Sequence, residues 1–285
     1  MDLILDSEDG FIKVKIKNKL KSKVDLYNHA YKNHTDPIYI DIRRETYGED
    51  IGQSSWITVE EYRGFLKNLD LLPGSKVLEI ASGSGGPALF MAKETGAQIT
   101  GLDINENGIQ NAHKLAKELN LETQVQFIHG NASEALPFKE QTFDYVISMD
   151  SMNHINHRIN VLAEWYRVLK KGGKIMYTDT TVVTGSVTFE ELAIRSSIGF
   201  FLFLPPGENE KMIQAAGFQN IHSKDITGNM AKVSLHWHDA RSSRRRPLVI
   251  IEGESDFNGL QKFLMTVHTL AIEKRLSRWL FIAEK

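Results

Sequence analysis

The chain has 285 residues, 41% hydrophobic and 25% charged, which supports one large folded unit or one with an appended cap. A formal net charge of −2 leaves no basic excess to draw a nucleic acid. The absence of cysteine excludes disulfides, thiolate metal sites and a cysteine nucleophile. The opening stretch MDLILDSEDGFIKVKIKNKL is too charged for a signal peptide. No run of about 18 apolar residues occurs. The expectation is a cytoplasmic protein with no membrane span.

Residues 1–70 read as mainly helical and amphipathic, a cap ahead of a core over 71–285. From residue 73 to 180 strand and helix patterns alternate. KVLEI (76–80) reads as a strand and 87–95 as a helix; QITGL (98–102) is a strand and 106–119 a helix. VQFIH (125–129) and YVISM (145–149) follow as strands, then a helix over 159–169 that the Gly172–Gly173 pair ends, then the strand KIMYT (174–178). This alternation predicts an α/β fold with a doubly wound, mostly parallel sheet whose ligand lies beyond the carboxyl ends of the strands. Insertions are expected at about 181–215 and 228–276, the second with two helical patterns around the basic run Arg241 to Arg246. FQNIHSKD (218–225) and WLFIAE (279–284) close the sheet.

The segment LEIASGSGGPALFMA sets Gly83, Gly85 and Gly86 between a strand and a helix. Gly83-x-Gly85-x-x-Ala88 fits the dinucleotide pattern, and Asp103 ends the next strand, where an acid accepts from ribose hydroxyls. Both features suit NAD and S-adenosylmethionine alike. Glu79 ahead of the glycines favours a cofactor with a positive end and repels a pyrophosphate. Pro87 removes one N–H from the helix start and weakens an anion site there.

The ordered set LEIASGSGG, GLDI, GNASEALPF, FDYVIS and LKKGGKIMYTD resembles the class I S-adenosylmethionine-dependent methyltransferases over about residues 70–180. The resemblance implies a seven-stranded Rossmann-like sheet and cofactor roles for particular residues. Glu79, Ala81 and Gly83 would line the methionine side, with Gly85 shaping the loop. Asp103 would hold the ribose and Ile104 pack on the adenine. Asn131, where the family often has Asp, would meet the adenine amino group, and Ala132 would offer a backbone N–H. Met149 and Asp150 would close over the methionine end.

A second resemblance lies in YGEDIGQSSW (47–56), similar to the segment before the core in methyltransferases of the phosphoethanolamine, glycine-betaine and tocopherol type. It implies that Gln53 approaches the cofactor and that Tyr27 and Tyr31, on one helical face, fold over it as a lid. In SMDSMNHI (148–155) the serine, aspartate and histidine match the phosphoethanolamine enzymes' pattern, with Met149 replacing its arginine. His154 is thereby expected to pair with Tyr27 or Tyr31 and to serve as a base. Counting back from Phe218, the positions where those enzymes hold a phosphate fall at Gly199 and Phe201, within GFFLFLPPG. An apolar wall there argues for a partly apolar or aromatic acceptor. Trp56, Asp179, Phe201 and His236 are the candidate acceptor contacts, Asp179 as a seat for an ammonium.

His236 and His238 do not share a helical face, and no third ligand is placed, so no metal is expected. The reading is methyl transfer from S-adenosylmethionine to N or O of a small molecule. A small glycine- or ethanolamine-type amine and an NAD-dependent oxidoreductase are the alternatives, and a homodimer is compatible with either.

Overall fold

The computed structural model describes residues 24–285; the charged opening stretch and the first third of the expected cap lie outside them. Three helices come first: α1 (Tyr27–Lys32), α2 (Pro37–Tyr47) and α3 (Val59–Leu69). Asp36 caps α2, accepting from Ile38 N at 2.9 Å, and proline at the first turn loses no needed donor. Thr58 caps α3 by accepting from Glu61 N.

The core then alternates: β1 (Lys76–Ile80), α4 (Gly86–Thr95), β2 (Gln98–Asp103), α5 (Glu106–Glu118), β3 (Val125–His129), β4 (Phe143–Ser148), a 3-10 turn over Met152–His154, α6 (Arg158–Val168) and β5 (Leu169–Val183). The remainder is α7 (Phe189–Arg195), α8 (Glu208–Ala215), β6 (Gln219–Asp225), α9 (Thr227–Ser242), α10 (Arg245–Glu252), α11 (Glu254–Ile272) and β7 (Leu276–Glu284). The seven strands lie in the order β3-β2-β1-β4-β5-β7-β6, parallel except for β7, which runs antiparallel between β5 and β6. Helices cover both faces, so β1 is buried along Val77, Leu78 and Ile80. Glu79 is the one acid in that run, and it points into the switch point between β1 and β4.

One expectation changes. Gly172 and Gly173 do not end a helix; α6 stops at Val168 because Leu169 is already extended, and the glycines lie inside β5. Gly172 takes φ 75°, and its N–H reaches the Lys285 carbonyl, joining the start of β5 to the chain end. The basic run Arg241 to Arg246 lies where the end of α9 meets the start of α10. Arg241 is buried and pairs with Glu252, Arg244 pairs with Glu45 and Arg245 with Glu254, which occupies the run with internal ion pairs.

The N-terminal helices are held by the C-terminal ones. Val24, Leu26, Tyr47 and Trp56 pack with Met230, Val233, Leu260 and Phe263 in one apolar cluster over the strand ends. The loop before α3 also presses on the glycine turn: a Cβ at Gly86 would overlap the Ile51 carbonyl oxygen. Gly86→Ala is therefore expected to cost about 3 kcal/mol, the upper end for overpacking, and to lower Tm by roughly 6–12 °C in a thermal scan. An unchanged Tm would show that the 48–56 loop gives way freely.

Candidate active site

A cavity of about 470 Å³ opens at the carboxyl ends of β1 to β4. Each strand exit contributes one wall. Glu79, Ala81 and Gly83 come from β1, Asp103 and Ile104 from β2, Asn131 and Ala132 from β3, and Met149 and Asp150 from β4. Ala81 (φ 59°) and Asp150 (φ 53°) hold left-handed backbone at two of these exits, a cost that folds accept where a turn must present a site.

The electrostatics of the cavity follow from its depth. Asp103 accepts from Gly83 N and Asn105 N, both at 2.7 Å, so the carboxylate pins the glycine turn while its remaining lone pairs face the cavity. Burial raises its pKa. Glu79 is 3% exposed and its Oε2 has no hydrogen-bond partner among the described residues. Burial, and then the nearby Asp103 charge, push its carboxyl up to about 8. A buried acid without a donor is a seat for a cation. Ile104 is 66% exposed at the rim, an apolar surface left for a flat partner.

Tyr27 and Tyr31 of α1 close the cavity from above. Tyr31 lies over the glycine turn, where a Cβ at Gly83 would sit 2.8 Å from its hydroxyl. The Tyr27 hydroxyl meets His154 Nε2 at 2.8 Å, and the two rings are edge to face. His154 Nδ1 is 2.9 Å from the Phe200 carbonyl. A carbonyl only accepts, so Nδ1 carries the proton and Nε2 accepts from Tyr27. Burial lowers the His154 pKa to about 4, keeping the ring neutral near pH 7.

Tyr27 and His154 also line a second, smaller recess of about 20 Å³, with Trp56, Thr180, Arg195, Phe201, Trp237 and Phe263. Of the candidate acceptor contacts, Trp56 and Phe201 meet here, and the Phe201 ring packs against His154 at 4.3 Å between centroids, tilted by 60°. The GFFLFLPPG wall is only partly such a wall: Ile198, Gly199 and Phe201 face the cavities, but Phe200 is exposed.

Other candidates stand elsewhere. Asp179 is fully buried within β5, paired with Arg158 at 2.5 Å and bonded to Asn209 and Thr181, so it has no face for an ammonium. His236 lies on the exposed side of α9, and its neighbour Trp237 takes the place beside the recess. Gln53 is buried but spends its amide on Ile51 N and the Glu49 carbonyl; Gly52 and Ser54 line the cavity instead. Gly85 packs beneath the turn, where a side chain would strike Phe127 and Ala112. Asn131 lies in the cavity wall with its carbonyl already accepting from Ser133 N.

Asp150 reaches the cavity edge, yet its carboxylate is engaged with Arg278 Nε (2.7 Å), Thr178 Oγ1 (2.7 Å) and Trp56 N (2.8 Å). It fastens the cap to the core. Arg195 is the residue that sequence reasoning missed. A lone arginine at the end of an amphipathic helix carries no sign that its side chain is turned inward. Among the described residues no cluster of three metal-ligating side chains occurs, and no helix is long and apolar enough to cross a membrane.

Comparison with known proteins bears on this arrangement. A family described as the methyltransferase domain matches residues 77–173. The chain is 30% identical over 183 residues to a glycine/sarcosine/dimethylglycine N-methyltransferase of Actinopolyspora halophila, a match covering 64% of this chain and 32% of that longer protein. In fold it is similar to a Haemonchus contortus phosphoethanolamine N-methyltransferase 2 solved with phosphomonomethylethanolamine and S-adenosylhomocysteine. That likeness has a TM-score of 0.76 at 21% identity, over 91% of this chain and 59% of that one. It is also 34% identical over 213 residues to a demethylmenaquinone methyltransferase of Bacillus cytotoxicus, covering 64% of this chain and 87% of the relative. Identity of that degree, over nearly the whole of one relative, goes beyond a shared fold. The chain belongs to the class I S-adenosylmethionine-dependent methyltransferases.

Proposed function

We propose that the chain transfers a methyl group from S-adenosylmethionine to a nitrogen or oxygen atom of a small molecule that meets it beside His154. The observation that carries this reading is the Tyr27–His154 hydrogen bond at the junction of the large cavity and the aromatic recess. The cavity suits the cofactor. Glu79, with an unpartnered buried oxygen, fits its ammonium group; Asp103 keeps lone pairs for a ribose diol; exposed Ile104 fits the adenine face. When bound, the cofactor supplies a methyl group on a sulfonium, open to in-line displacement.

The chain's own residues then have two tasks. The first is alignment and exclusion of water, for which Tyr27, Tyr31 and the aromatic recess are placed. The second is proton removal from the acceptor atom. His154 Nε2 can take that proton directly, or through the Tyr27 hydroxyl with which it shares a hydrogen bond. Burial raises the Tyr27 pKa well above its ordinary value, so the hydroxyl stays protonated and acts as a relay rather than a base.

Glu79 gives a signature separate from turnover. Its carboxyl holds a proton up to about pH 8, and a bound ammonium would remove the reason for that. Binding of S-adenosylhomocysteine is therefore expected to release about one proton near pH 7, and affinity to rise with pH, roughly tenfold per unit, until the free carboxyl ionises near pH 8. Calorimetry in buffers of different ionisation enthalpy reads this directly, and Glu79→Gln should abolish the release. The function itself is tested by titrating the chain with S-adenosylhomocysteine and with NADH. Tight NADH binding without any S-adenosylhomocysteine binding would favour the dinucleotide reading.

A further inference from the structure

Four arginines in the described chain are almost wholly buried: Arg158, Arg195, Arg241 and Arg278. Three have carboxylate partners, Asp179, Glu252, and the pair Asp150 and Glu61. Arg195 has none among the described residues. Its Nη2 donates to Thr180 Oγ1 at 2.9 Å, while Nε and Nη1 lack any hydrogen-bond partner. Its guanidinium carbon lies over the Phe201 ring at 4.3 Å and over the Phe263 ring at 5.0 Å, which holds the charge between two aromatic side chains. A buried, oriented cation with unspent donors costs the fold free energy that a matching anion would return.

The position of that cation indicates what the anion belongs to. Phe201 has the Arg195 guanidinium against it and the His154 imidazole against it, so charge and base stand one aromatic ring apart. The recess holds about 20 Å³, room for one small group, and it shares Tyr27 and His154 with the cofactor-sized cavity. We infer that Arg195 binds a carboxylate of the methyl acceptor, so that the substrate is a small amino or hydroxy acid whose carboxylate enters the aromatic recess while its nitrogen or oxygen lies at His154. This rests on the methyl-transfer reading above and deepens it. An apolar acceptor is thereby replaced by an amphipathic one. The planar fork of an arginine suits a carboxylate, and the aromatic walls exclude the water that would otherwise screen it.

The test uses the full chain and matched probes: sarcosine against its methyl amide, and 4-hydroxybenzoate against its methyl ester, each with S-adenosylmethionine. At least one acid should exceed its neutral partner by roughly 10²-fold in kcat/KM, and Arg195→Met should erase that preference while S-adenosylhomocysteine affinity holds. Without an acceptor present, Arg195→Met should leave Tm unchanged or higher, because it removes a buried charge that has no counter-ion. A fall of several degrees would mark a structural arginine and overturn the inference, as would acid preference that survives the substitution, or neutral probes used as well as the acids. If every probe is inert, crystals of the wild-type S-adenosylhomocysteine complex grown in acetate decide: carboxylate density on Nε and Nη1 upholds the inference, and water or nothing there overturns it. Loss of S-adenosylhomocysteine binding in the wild type would instead sink the methyl-transfer reading.

Discussion

Replacing His154 with alanine is expected to lower turnover by roughly 10²- to 10⁴-fold while S-adenosylhomocysteine affinity stays within a few-fold. The side chain lies where the large cavity meets the aromatic recess, and its two nitrogens have distinct partners, the Phe200 carbonyl and the Tyr27 hydroxyl. Tyr27→Phe keeps the ring and removes the relay, so its loss should be smaller. The double variant should lose little more than His154→Ala alone, since residues that act as a unit are not additive. The pH profile carries the same information. Burial holds His154 near 4, so the ring remains an unprotonated base across neutral pH. Its acidic limb in kcat/KM should fall near pH 4 rather than near the ordinary 6.5, with activity lost as pH drops through that value. Unchanged turnover in His154→Ala would remove the base from the mechanism.

Asp150→Ala is expected to be the most destabilising single change near the site. The carboxylate joins Arg278 on β7, Thr178 on β5 and the backbone of Trp56 in the cap, all with little exposure. Its removal leaves Arg278 buried with Glu61 as its sole remaining carboxylate among the described residues. Breaking a buried ion pair costs about 3–5 kcal/mol, on the order of a 10 °C loss in Tm for a chain of this size. Thermal denaturation checks this. A variant with normal Tm but weakened S-adenosylhomocysteine binding would return Asp150 to direct cofactor contact.

The order of strands and helices from β1 to β4 was legible because buried parallel strands show as short apolar runs and the turns between them carry their own residue types. The cavity walls at Glu79, Ala81, Gly83, Asp103 and Ile104 follow from that order, since strand exits at a switch point must converge. The Tyr27–His154 pairing was legible by family resemblance alone; nothing in 127 residues of separation dictates it. What was not legible depends on partners far along the chain. Asp179 comes directly after KIMYT in the sequence, as a site acid would, but it lies inside the longer β5, where Arg158 and Asn209 claim its carboxylate. His236 and Trp237 are adjacent on one helix, and only the packing of α9 against α2 and α11 decides which faces inward. Gly172–Gly173 resembles a helix stop because glycine in the left-handed region serves equally well within a strand that must turn to meet the chain end. Arg195 is hidden for the opposite reason: sequence rules place arginine outside, and its burial is visible only once Phe201 and Phe263 close around it.

The most direct measurement of the central claim is a crystal structure of the chain with S-adenosylhomocysteine. The amino group is expected within hydrogen-bond reach of Glu79, the ribose on Asp103, the adenine against Ile104, and the sulfur facing the intact Tyr27–His154 pair. A nucleoside bound away from the β1–β4 exits, or a sulfur directed away from a His154 that has turned to solvent, would contradict it.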